Sequence, residues 1–195
     1  MRPVNFSNIA ESTEGGFDAL EAGNYICTIV GAQDFPAKEY VRLLIDIADG
    51  PRKGYFSDDF YTNKPWAHNV IMSYKETAQS MLKGRLHVIS DCNPGFDAEA
   101  AWNGCDPQLF IGKTVGVTFN EEEYEANDGS IKHNAKPGAL VRVSAIKDGT
   151  AKPARWKRVN GDWVSLEEGK ASEGQVVGSG PSASAPAYND DIPFN

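Results

Sequence analysis

From Tyr40 to Ile47 the chain alternates. Val41, Leu43, Ile45 and Ile47 fall on one side of an extended strand, and Arg42, Leu44 and Asp46 on the other. Around this two-faced strand the neighbouring segments read as strands too. Ala22-Gly23-Asn24 is a turn leading into Tyr25 to Val30, which is rich in β-formers. Asp49-Gly50-Pro51 is a strong turn, and Lys53 to Tyr61 reads as a third strand with Tyr55, Phe56, Phe60 and Tyr61. Three such strands predict an antiparallel meander. Within the third, Phe56 and Phe60 are expected in the core, with Tyr55 and Tyr61 exposed.

The period then changes. From Trp66 to about Cys92, apolar residues recur at Val70, Ile71, Tyr74, Ala78, Met81, Leu82, Leu86 and Ile89, which is helical spacing. Gly84 is expected to break or bend this helix, Asn93-Pro94-Gly95 to end it, and Trp66 to pack at its start. Thr114 to Phe119 is a fourth strand, which Glu121 to Tyr124 either continues or caps. Asn127 to Ser130 is a turn into Ile131 to Lys136, and Ala139 to Ile146 is a further strand. Three strands, a helical segment and then two or more strands is the element order of an OB-fold. The expectation is a mainly β chain: an OB-fold-like five-stranded barrel with a helical insert between strands 3 and 4.

Residues 1–160 form the expected domain and residues 161–195 an expected flexible tail. Gly178 to Ala187 contains only Gly, Ser, Pro and Ala, with almost nothing to bury against the entropy of ordering. Beyond it, Asp190, Asp191, Ile192, Pro193 and Phe194 place two negative charges before a branched apolar residue, a proline and a ring. A peptide of that kind suits a receptor with a basic rim and an apolar pocket. Charge is split as well. The net charge of −8, taken alone, argues against nucleic acid. Between residues 130 and 160, however, Lys132, Lys136, Arg142, Lys147, Lys152, Arg155, Lys157 and Arg158 face only Asp148. The acids Asp162, Glu167, Glu168, Glu173, Asp190 and Asp191 follow, against Lys170 alone.

Cys27, Cys92 and Cys105 fit no zinc spacing and are expected to be free thiols in a reducing cytoplasm. No apolar run is long enough for a membrane span, and the N-terminal residues do not read as a signal peptide. His68, His87 and His133 form no metal-ligand pair, and no Gly-rich phosphate loop is present. The carboxylates of Ser57-Asp58-Asp59 and Glu121-Glu122-Glu123 read as turn and surface groups rather than a magnesium site. Neither an enzyme nor a cofactor is expected.

Single strands of nucleic acid are held by cations along the phosphates and by aromatic faces under the bases. The candidate residues are Arg42, Arg52, Lys53, Tyr55, Lys132, His133, Lys136, Arg142, Arg155, Trp156, Lys157 and Arg158. Trp156, set among three cations, is either a stacking platform or a strand-end residue covering the core.

Asp-Asp-Ile-Pro-Phe at residues 190–194 resembles the acidic tip of bacterial and phage single-stranded DNA-binding proteins, with Asn195 added after the ring. The body resembles a family of small phage-encoded proteins grouped with them. The matching segments are Phe17 to Tyr25, Ile45 to Gly50 with Lys53-Gly54-Tyr55-Phe56, Ser73 to Glu76, Asn93-Pro94-Gly95, Ile111-Gly112-Lys113, Glu121 to Tyr124, Asn127 to Ser130 and Lys152-Pro153. The resemblance implies a protein that coats single-stranded DNA in the host cytoplasm during replication or recombination. Its tip would recruit a helicase, primase, nuclease or recombinase. The alternative is a phage adaptor that binds such proteins without binding DNA.

Overall fold

The computed structural model describes residues 19–173. β2 (Tyr40–Ile47) is the alternating strand, and it pairs antiparallel with β1 (Gly23–Phe35), Cys27 opposite Ile47 and Phe35 opposite Tyr40. Val41, Leu43, Ile45 and Ile47 are buried together with Cys27 and Ile29 of β1. Burial and the nearby Asp46 push the Cys27 thiol pKa up to about 12, so this cysteine is a core residue and not a nucleophile.

A third strand follows, but not at residues 53–61. There the chain forms short 3₁₀ turns, Tyr55–Ser57 and Asp59–Tyr61. Gly54, at φ 76°, turns the backbone out of the extended region. Asp46, on the second face of β2, is buried beneath these turns. Its carboxylate accepts from the amides of Ile47 (2.8 Å) and Phe56 (2.9 Å) and from the Ser57 hydroxyl. Asp58 accepts from the Phe60 amide at 2.8 Å and caps the second turn. Charge-assisted bonds of this kind outweigh the strand preference of an aromatic run. Asp46→Ala is therefore expected to cost about 3 kcal/mol, because it strands buried donors. Urea denaturation measures this, and a midpoint equal to the wild type would show that the turns hold without the carboxylate.

The third strand of the meander is β3 (Asn69–Ser73), antiparallel to β2 with Val70 opposite Leu43. Its inward residues, Val70 and Met72, lie in the stretch whose spacing predicts helix. The helix comes later, as α1 (Gln79–Cys92), which buries Leu82, Leu86 and Ile89 at positions i, i+4 and i+7. It runs unbroken through Gly84, where the surroundings are open. α2 (Ala98–Asn103) and a 3₁₀ turn at Pro107–Phe110 complete a helical insert between the third and fourth strands.

β4 (Thr114–Glu125) is the spine of the second half. One edge pairs antiparallel with β1 from Thr114 to Phe119. Its other edge pairs with β5 (Ile131–Val141) across a turn in which Asp128 accepts from the Ser130 amide at 2.9 Å. The strand expected to run to Ile146 stops at Val141, and Val143–Lys147 is a short helix, α3. That helix places the Ile146 Cδ1 so close to Gly116 that a Cβ there would meet it at 2.7 Å. Beyond Phe119, where pairing with the start of β1 stops, β6 (Arg155–Lys157) takes over the edge of β4, parallel to it at Glu121 and Glu122. β7 (Trp163–Ser165) pairs with β6, and α4 (Leu166–Glu173) follows. The folded part thus continues past the expected boundary at residue 160, because β7 extends the sheet and α4 covers Trp156.

Among the described residues the result is a mainly β fold with one seven-stranded sheet, in the order β3-β2-β1-β4-β6-β7 with β5 also on β4. The sheet is open, not a closed five-stranded barrel. β3 and β5 are not hydrogen-bonded, and α1 packs against both and against β4. No described helix is long and apolar enough to cross a membrane. The tip, Asp190 to Phe194, lies outside the described residues.

Candidate nucleic-acid interface

The 3₁₀ turns after β2 and the β4–β5 hairpin face each other across an open groove of about 610 Å³. An aromatic stack underlies it. Phe56 lies between the rings of His68 (4.9 Å, 12°) and Phe119 (5.9 Å, 14°), and the Tyr25 ring meets Phe119 edge-on at 5.5 Å. His68 is locked by the Ile45 carbonyl, 2.7 Å from its Nδ1, which makes it a structural histidine. Tyr55 accepts a hydrogen bond from the Leu20 amide at 2.9 Å. Tyr61 is buried against Tyr55 and Phe56. Burial and a hydrogen bond with Tyr55 push the Tyr61 phenol pKa up, so it remains a neutral part of the floor.

The rim carries the rings that point outward. Trp66 is 60% exposed, Phe60 49% and Tyr124 41%. The Lys64 ammonium stands 3.0 Å from the Phe60 ring centroid. Lys136, His133 and Lys170 of α4 complete the rim. These positions correct four expectations. Tyr55 is partly buried against the core rather than exposed. Phe60 is not core, Tyr61 is not exposed, and Trp66 does not pack on the helix. The reason is periodicity: a 3₁₀ turn rotates each residue by about a third of a circle, so Phe60 and Tyr61 do not follow strand alternation. Lys64, Phe60, Trp66, Tyr124 and Lys170 were not legible as site residues from strand patterns. The only pointer was local: Lys64 and Pro65 fix Trp66 in a polar turn, an unusual place for an unburied indole.

Of the candidates from the sequence, the structure gathers Tyr55, His133 and Lys136 along the groove. The Arg52 guanidinium lies 6.0 Å from the Tyr55 ring, with Lys53 exposed beside it. Lys132 is exposed on the hairpin, opposite Tyr124. The others are dispersed. Arg42 is on β2, donating to Gln33 at 2.7 Å and covering Phe35. Arg142 pairs with Asp91 of α1 at 2.7 Å. Arg158 lies 3.7 Å from Glu168 and tethers α4. Arg155 and Lys157 flank the exposed Trp163 at 5.5 and 5.7 Å, a second and smaller aromatic–cationic patch.

Trp156 resolves to a covering residue. It is 1% exposed, and its indole N–H donates to Glu123 at 2.7 Å. The other Glu123 oxygen accepts from the Val159 amide at 3.0 Å. Glu121 binds His133 Nδ1 at 2.7 Å, and Glu122 lies 3.7 Å from Lys136 and 4.0 Å from Lys157. The carboxylates of β4 therefore partner the basic residues of β5 and β6, and the positive segment is partly neutralised within the sheet. Among the described residues no group of His, Cys, Asp or Glu is arranged to hold a metal. Neither a family model nor a curated protein matches this chain.

Proposed function

We propose that this chain binds single-stranded DNA with little sequence preference, in the groove between the 3₁₀ turns and the β4–β5 hairpin. The observation that carries this reading is the set of exposed rings Phe60, Trp66 and Tyr124 interleaved with Lys64, Lys136 and Lys170. Rings stack on any base, and lysines follow the phosphates without reading sequence. The strand order supports the same reading. β3-β2-β1-β4-β5 is the neighbour order of an OB-type barrel opened between its third and fifth strands, with α1 at the opening. On this reading the protein is a binder that protects single strands during phage replication or recombination in the host cytoplasm. The tip Asp190 to Phe194 would recruit a helicase, primase, nuclease or recombinase, as its resemblance implies.

Titration of a labelled oligonucleotide against the full chain tests this at several salt concentrations. Three phosphate contacts predict a slope of log K against log salt of about −2, or a roughly 15- to 20-fold loss between about 50 and 200 mM salt. A preference for single over double strands is expected with it. Binding that ignores salt, or equal binding of duplex, contradicts the proposal. One observation favours the adaptor reading instead: Lys136, Lys157, Arg142 and Arg158 all have carboxylate neighbours. That reading predicts no oligonucleotide binding in the same titration.

A further inference from the structure

A second cavity, of about 450 Å³, lies near the far end of β1. The groove starts at Ala19 and Leu20, ahead of that strand, whereas this cavity is lined by Asp34 close to its end. Three rings shape it. Trp102 of α2 stands edge-on to Tyr74 (6.1 Å between centroids, 68°) and to Phe110 (6.2 Å, 75°). Two carboxylates line it, Asp34 and Asp106. Each accepts a neutral donor, the Tyr74 hydroxyl at 3.2 Å and the Gln108 amide at 3.0 Å. Neither makes an ion pair with a lysine or arginine among the described residues.

The cavity continues past Trp102. Tyr74, Gln79 and Trp102 also line an adjoining depression of about 300 Å³ along α1, together with the largely buried Leu82 and Leu86 and with Lys83, Glu99 and Asn103. Aromatic walls with negative faces, beside carboxylates that lack a cation, favour a positive group. Where the edges of Leu82 and Leu86 border the depression beside Trp102, an apolar group is favoured, with Lys83 and Glu99 at its polar side. Two joined cavities exceed the reach of a single side chain and match an extended peptide.

We propose that this surface docks an extended peptide of a partner protein, with a lysine or arginine in the Tyr74–Trp102–Phe110 cavity and an apolar residue against Leu82 and Leu86. Asp34 and Asp106 repel an anionic occupant, so neither a nucleic-acid strand nor an acidic peptide fits. The site and the groove share no lining residue, and occupation of one leaves the other open.

The test is a nuclear magnetic resonance titration of the full chain with an acetylated, amidated peptide Gly-Arg-Ala-Leu-Phe-Gly. Controls are the same peptide with glutamate for arginine, and argininamide alone. The expected result is saturable shifts of the Trp102 indole signal below about 1 mM peptide. Asp34→Asn combined with Asp106→Asn keeps both neutral hydrogen bonds, and should weaken the peptide about tenfold while leaving oligonucleotide binding unchanged. Absence of saturable shifts, equal binding of the glutamate peptide, or undiminished binding by the double variant overturns the proposal. Argininamide binding as tightly as the peptide overturns the peptide assignment. These readouts do not depend on DNA, so failure of the groove as a DNA site would leave them intact.

Discussion

A chain carrying Phe60→Ala and Trp66→Ala together is expected to bind a single-stranded oligonucleotide about 30- to 1,000-fold more weakly than the wild type. Each base stacked on an aromatic side chain is worth about 1–3 kcal/mol, and neighbouring contacts add imperfectly. A combined loss of about 2–4 kcal/mol follows, which converts to that range. Both rings are only half-exposed, so folding stability should fall by about 1–2 kcal/mol, well short of the loss for a core aromatic. Lys64→Ala acts on a different quantity. It removes a phosphate contact and should make the salt slope shallower by about 0.7. Anisotropy titration separates the two. Full affinity in the double aromatic variant would remove the groove from the account.

Trp156→Ala is expected to behave in the opposite way, costing about 3–5 kcal/mol of stability. The indole is the largest fully buried side chain among the described residues and joins three elements. It bonds Glu123 of β4, lies 4.8 Å from the His133 ring of β5, and packs so tightly under α4 that a Cβ at Gly169 would overlap it. Alanine leaves a cavity and a Glu123 carboxylate oxygen without its donor. Urea denaturation gives the magnitude, and near-ultraviolet circular dichroism reports on the packing. Had Trp156 been a stacking platform, the variant would lose DNA affinity at constant stability. Gly169→Ala should reproduce part of the destabilisation by pushing α4 away, about 1–3 kcal/mol, without touching the indole itself.

The pattern that could be read in advance was local. Alternation in residues 40–47 located β2 and its buried face, and Asn127 to Ser130 located the hairpin turn. A helical insert between the third and fourth strands followed from the change of period. What escaped depended on contacts between distant residues. Residues 53–61 have the composition of a strand, yet Asp46, ten positions before Phe56, captures its amide and imposes a turn. The next turns, Asp59–Tyr61 and Pro65–Ala67, leave Phe60 and Trp66 exposed, so the rings best placed for bases were the ones assigned to packing. Closure of the barrel depended on whether β3 meets β5, which neither strand's own sequence determines. Neutralisation of the basic segment was half visible. A turn at 127–130 already implies that Glu121 to Glu125 lie beside Ile131 to Lys136, and the register confirms this with Glu123 opposite His133.

The most direct test of the groove is photo-crosslinking of the full chain to an oligonucleotide containing 4-thiothymidine, with the attached peptides located by mass spectrometry. Crosslinks should concentrate on Phe60, Trp66 and Tyr124, and they should fade as salt is raised. Crosslinks confined to Trp163, between Arg155 and Lys157, would move DNA binding to the β6–β7 face, and their complete absence would contradict DNA binding by this fold.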